Sequence, residues 1–329
     1  MSKNFISLAA GMAMIGGVAL SDTPKVAVDI SPVHSLVSRV MLGVGTPDLI
    51  VQAGASPHGY TLRPSEAKAL QDAQMVFWMG ESLSPWMEGA LDTLSRDATI
   101  ITLLERDETI LLEFREGALF EEHDHDDHGD EKHDDHKHDD HGDEKHDDHE
   151  GHDDHGHGSH DPHAWLSPDN AKIWLNLIAS QLSIADPENA GTYFANAAAG
   201  RVEIDALKAE VSSLLESIRG KKFIVFHDAY QYFEKTFDIS ASGAISLGDA
   251  SKPSPARVAE IQGRIQEESI DCVLSEPQFN KGLVATVMAG SNAKTSVIDP
   301  LGVGLTPGPD LYSHLIRSMG KSLVDCFES

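Results

Sequence analysis

Short apolar runs alternate with amphipathic helical stretches along most of this chain, and that alternation constrains its fold more than any other feature. The first half reads as strands at Lys25–Ile30, Asp48–Gln52, Met75–Met79 and Thr99–Leu103, separated by helices at Pro32–Leu42, Pro64–Gln71 and Pro85–Ser95. The second half repeats the pattern. Strands at Lys222–His227, Ser240–Ser246, Cys272–Ser275 and Lys294–Ile298 alternate with helices at Ala229–Phe237, Pro255–Gln266, Lys281–Gly290 and Pro309–Cys326. Strands separated by helices form parallel sheets, because the crossover helix returns the chain to the same end of the sheet.

Between the two halves lie a helix at Asn170–Ser183 and a longer helical stretch from Pro187 to Arg219, opened by Asp186 as N-cap and stopped by Gly220. At about 1.5 Å per residue that stretch would be ~50 Å long, too long for one crossover and suited to connecting two domains. The expected fold is therefore α/β: two lobes, each with a mostly parallel four-stranded sheet flanked by helices, joined by one long rigid helix. The expected boundaries are 22–186 for the first lobe, 187–219 for the connecting helix and 220–329 for the second lobe.

One segment fits no element. Residues 121–160 contain HDDH five times and the octamer HDDHGDEK twice, at 125–132 and 138–145. With no apolar side chain to bury, this tract is expected to be a disordered insertion in the first lobe. It holds 13 of the 18 histidines: His123, His125, His128, His133, His136, His138, His141, His146, His149, His152, His155, His157 and His160. Imidazoles interleaved with carboxylates make it a candidate auxiliary metal-collecting tract, whose binding should weaken as pH falls through about 6.5. As a bare charge run it would be a solvated acidic loop.

The formal net charge of −28 excludes nucleic-acid binding, which needs clustered Lys and Arg. The N-terminus reads as a secretory signal over residues 1–21. Lys3 precedes an uncharged stretch from Phe5 to Leu20, with Ala19 and Ser21 placed for cleavage before Asp22. That stretch falls short of the ~20 residues a membrane span needs. In an exported chain the two cysteines, Cys272 and Cys326, favour a disulfide. Two free thiols, or one thiolate ligand, are the alternatives.

The sparse histidines carry the chemistry. His58 follows the second strand in SPHGY, His163 precedes a helix in DPHAW, His227 ends the strand KKFIVFH, and Asp299 ends KTSVID. Ligands of open parallel sheets bind beyond the carboxyl ends of the strands, where His58, His227 and Asp299 are expected. Three imidazoles and a carboxylate complete a zinc shell, and imidazole favours zinc, copper and nickel over manganese or magnesium. Singly, a histidine at a strand end is more often a hydrogen-bonded structural residue, and Asp299 before Pro300 could simply cap a turn. His34 and His314, inside the first and last helices, read as structural.

The segments SPHGYTLRPSE, DPHAWLSPDNA, FHDAYQYF, SEPQFN and IDPLG, in that order from Lys25 to Cys326, resemble the zinc-specific periplasmic substrate-binding proteins of bacterial ABC transporters. The acidic, His-rich insertion and the cysteine pair are similar too. The resemblance implies two lobes with Zn(II) in the cleft between them as transported ligand, held by His58, His163 and His227. It implies Asp299 or water as the fourth ligand, because Pro57 stands where some members have an acidic ligand. Manganese members generally carry Glu where this chain has His227. The implied partners are a membrane permease and its ATPase. The chain is expected to be monomeric, non-enzymatic, and in contact with the membrane only through that permease. Two other readings fit the residues less well. One is a metal-buffering or adhesion surface protein acting through the tract. The other is a zinc hydrolase or lyase, for which no HExxH motif is present.

Overall fold

The computed structural model describes residues 23–115, 120, 160–246, 253–278 and 281–328. The expected signal segment and the His-rich tract up to residue 159 lie outside them.

The first half builds β1 (Val26–Val28), α1 (Ser31–Val40), β2 (Asp48–Leu49), α2 (Pro64–Asp72), β3 (Met75–Trp78), α3 (Pro85–Leu94) and β4 (Thr99–Thr102). Two helices follow, α4 (Pro168–Ala185) and α5 (Ala190–Leu215). The second half builds β5 (Phe223–His227), α6 (Gln231–Phe237), β6 (Ala244–Ser246), α7 (Pro255–Glu267), β7 (Cys272–Ser275), α8 (Lys281–Val287), β8 (Lys294–Val297) and α9 (Leu311–Glu328). The strands form two four-stranded sheets of equivalent order, β2-β1-β3-β4 and β6-β5-β7-β8, and every pairing is parallel. The inner strands β1, β3 and β5 are buried throughout, as parallel strands covered on both faces must be. Proline opens α1, α2, α3, α4 and α7 in the first turn, where its missing N–H would have no partner anyway.

The connector covers the expected stretch, from Pro187 to Ile218. It is an α-helix of 26 residues between short 3₁₀ turns at Pro187–Asn189 and Glu216–Ile218. Asp186 makes no side-chain cap to the backbone. Its carboxylate instead accepts hydrogen bonds from Asn189 Nδ2 and the Tyr193 hydroxyl, both at 2.8 Å. Gly220 takes the left-handed conformation, φ +73°.

The lobes share a core. One hydrophobic cluster runs from Val28 of β1 through Leu207 and Val211 of α5 to Val225 of β5 and Leu323 of α9. Two smaller clusters lie apart from it, one in each sheet. Close helix contacts reinforce it. A Cβ at Gly200 of α5 would lie 2.9 Å from Leu175 Cδ1, and one at Gly320 of α9 would lie 3.0 Å from Val211 Cγ1. Cys272 and Cys326 form a disulfide between β7 and α9, which removes both thiols from metal chemistry.

Candidate metal centre

His227 is the last residue of β5 and is buried. Glu276 follows β7, the neighbouring strand, so the two leave the sheet side by side at its carboxyl edge. Glu276 Oε1 lies 2.6 Å from His227 Nδ1, and its Oε2 accepts from Gln278 Nε2 at 2.7 Å. Both partners of the His227–Glu276 pair are buried.

His163 arises from a tight turn before α4. Asp161 Oδ1 accepts the His163 backbone N–H at 2.9 Å and lies 2.7 Å from its Nδ1. The ring packs against Trp165, whose Nε1 donates to the Pro300 carbonyl at 2.9 Å. Burial lifts the Asp161 carboxyl to about 7, opposed by the backbone N–H of His163 and by nearby Arg115.

His58 comes from the loop between β2 and α2 and is half-buried. The carbonyl of Pro57 anchors that loop by accepting from Trp86 Nε1 at 2.7 Å and Ser84 Oγ at 3.1 Å. Tyr60 packs on Trp86 and donates to Glu66.

The three rings converge. His163 Nε2 lies 3.4 Å from both His58 Nε2 and His227 Nε2, and the three ligand atoms fall within 4.8 Å of one another. Carboxylates on the Nδ1 atoms of His163 and His227 fix the tautomers, so the facing Nε2 atoms of the neutral rings carry lone pairs. Lone pairs pointed at each other repel unless a cation lies between them. Nitrogens on a tetrahedral zinc shell, at about 2.0–2.1 Å from the ion, are separated by about 3.3–3.4 Å.

Asp299, the expected carboxylate ligand, makes a different set of contacts. It stands at the strand end, as expected, but is not grouped with the three imidazoles. Its Oδ1 accepts from the backbone N–H of Leu301 and Gly302, at 3.0 and 2.8 Å, and its Oδ2 from Val303 at 2.6 Å. An aspartate opening a Pro-Leu-Gly turn meets three successive amides, which pull the carboxylate into the loop.

Sequence reasoning passed over several contributors. Asp161 was legible as the acid of D-x-H. Glu276 was legible only as another residue at a strand's carboxyl end. Trp86 holds the His58 loop through a carbonyl that no sequence pattern marks. His34 is structural, as expected: its Nε2 lies 3.0 Å from the Pro47 carbonyl.

A family profile described as "Zinc-uptake complex component A periplasmic" (ZnuA) matches residues 26–326. The chain is 45% identical to the high-affinity zinc uptake system protein ZnuA of Brucella abortus (strain 2308), over 98% of this chain and 99% of that protein. It is 44% identical to the protein of the same name from Paracoccus denitrificans (strain Pd 1222), over 97% and 96%. A crystal structure of ZnuA superposes with a TM-score of 0.72 at 20% identity, covering 93% of this chain and 100% of that one. The SBP FpvC from Pseudomonas aeruginosa in complex with Mn2+ also reaches 0.72, at 18% identity and 93% and 99% coverage. At these identities the solved structures establish the fold. Because one of them holds manganese, the scaffold alone does not choose the metal.

Proposed function

The chain belongs to the periplasmic zinc-uptake complex component A family, and on that premise we propose that it captures one Zn(II) on His58, His163 and His227 and hands it to a zinc-uptake ABC transporter. The observation that carries the site is the convergence of three imidazoles, with His163 Nε2 at zinc-shell spacing from the Nε2 of each of the other two, and two of the rings oriented by buried carboxylates. Carboxylate–histidine–zinc relays of this kind raise ligand basicity and fix ring direction. Three imidazoles favour zinc over manganese.

Water completes the shell, and Asp299 caps the loop beside it. An open fourth position also suits a catalytic zinc, but Asp161 and Glu276 are both engaged with imidazole Nδ1 atoms and not turned towards a zinc-bound water. The protein is thus a carrier that makes and breaks no covalent bond. It acts as a monomer in the periplasm after signal cleavage near Ser21, and it docks on the permease that its ATPase partner drives. Among the described residues no helix is long and apolar enough to cross a membrane.

The His-rich tract is an auxiliary collector. Its last residue, His160, pairs with Glu113 and lies three positions before His163. Zinc titration of the whole chain tests the assignment. Wild type is expected to bind one ion tightly and several weakly, and the triple variant His58→Ala, His163→Ala, His227→Ala is expected to keep only the weak ones. Tight binding that survives the triple substitution would sink the site.

A further inference from the structure

The segment that leads towards the His-rich tract is strapped across the molecule and ends in a half-buried arginine. After β4, the Thr109 hydroxyl donates to the Leu103 carbonyl at 2.7 Å, and the Asn170 side chain of α4 bonds both the N–H and the carbonyl of Ile110. The segment then reaches the second lobe. Leu112 N–H donates to the Tyr232 hydroxyl of α6 at 2.9 Å, and Gln231 Nε2 donates to the Glu113 carbonyl at 3.0 Å. The Tyr232 hydroxyl in turn donates to the Asp161 carbonyl at 2.9 Å.

Arg115 closes the strap. Its side chain is only 17% exposed, and Phe120 covers the guanidinium at 3.6 Å from the ring centroid. Nε lies 3.0 and 3.1 Å from the two Asp228 oxygens, and Nη2 also bonds Asp228. Nη1 and Nη2 reach the two oxygens of Glu234 at 2.8 and 3.0 Å. Asp228 is the residue after His227. Four buried carboxylates (Asp161, Asp228, Glu234 and Glu276) therefore surround His163 and His227, and Arg115 supplies a single positive charge among them. Buried like charges repel and favour nearby cations, so Arg115, and a dication when one is bound, offset part of this negative charge.

We propose that Arg115 is a positioning residue for the bound metal. It clamps Asp228, and with it the turn that presents His227, against the strap, and so sets how long the ion is retained. This rests on the assignment of the three histidines as ligands. The consequence is that the base of the tract and the metal shell are one mechanical unit. A partner that lifts the strap from α6 would loosen His227 without touching the ion.

The test uses the full chain loaded with half an equivalent of Zn(II) and chased with excess chelator, with apo thermal stability followed in parallel. The slow phase of release reports the cleft. Arg115→Gln should accelerate it by about tenfold, in the range of lost outer-shell partners. Arg115→Lys, which keeps the charge but loses the fork, should fall between Gln and wild type. A purely structural arginine would lower apo stability and leave the slow phase unchanged. That result overturns the inference, and if Arg115→Gln does not fold, Arg115→Lys decides it. His163→Ala should abolish the slow phase. If the slow phase persists there, the ligand assignment and this inference fail together. If it is lost there but unchanged in the Arg115 variants, only the inference fails.

Discussion

The two sheets have the same strand order and opposite uses for the ends of their central strands. Beyond β1, in the first lobe, stands Asp29, buried, with its carboxylate accepting the N–H of Ile30 at 2.7 Å and of Met79 at 2.6 Å. At the same end of β5, in the second lobe, stands His227, whose Nε2 points into the cleft while Glu276 holds its far side. One lobe spends its strand end on tying its own loops together, and the other offers it to a ligand. The first lobe contributes its imidazole from a loop instead, through His58, held by way of the Pro57 carbonyl. His163 and His227 are thus preset and buried, whereas His58 is half-buried and loop-borne. A topology repeated twice does not require a site built symmetrically.

Breaking that asymmetry should produce effects in a definite order. His163→Ala and His227→Ala should cost the most zinc affinity, beyond the ~10–100-fold typical of outer-shell changes, as measured by competition with a chelator. His58→Ala should cost less than either, because the two oriented rings remain. An equal or larger loss there would show that the loop is as preset as the strand. Glu276→Gln should weaken zinc by about tenfold while leaving one ion bound, since an amide orients the ring without the charge that raises its basicity. Asp299→Ala should lower stability by about 1–3 kcal/mol through the amides it leaves unpaired and shift zinc affinity only a few-fold. A loss as large as that of His163→Ala would make Asp299 a ligand after all.

The smallest effect concerns pH. Burial lifts the Asp29 carboxyl from its ordinary 3.8 to about 7, against the backbone N–H groups of Met79 and Ile30, which pull it down. The folded state therefore holds this proton more tightly than the unfolded state. The stability this provides is full below about pH 4 and is lost as pH rises through about 7. The stability difference between wild type and Asp29→Asn, measured by thermal unfolding of the zinc-free chain, should shrink with rising pH across that window. A difference that grows with pH would place the Asp29 carboxyl below 3.8.

Much of this was legible in one dimension because the physics is local. Strand and helix alternation, proline at helix starts and Gly220 at a helix stop depend on neighbours along the chain, and each reappears in the structure. The connector runs from Pro187 to Ile218 as expected, but the Asp186 carboxylate is drawn to Tyr193 and Asn189 instead of to the helix amides. The histidines could be nominated because strand ends and residue types are readable. Asp299 was nominated by the same rule and does not join them, since the rule says where a side chain starts and not which hydrogen bonds claim it.

By itself, then, the sequence determined two parallel α/β halves, a helix between them, and which side chains were able to bind a transition metal. Periodicity and donor chemistry are properties of the chain. Only the tertiary structure decided that imidazoles separated by up to 169 positions converge within 4.8 Å, that Asp161 and Glu276 aim two of them, and that the Asp299 carboxylate turns into its own loop. Those outcomes follow from competition among partners brought together by a shared core.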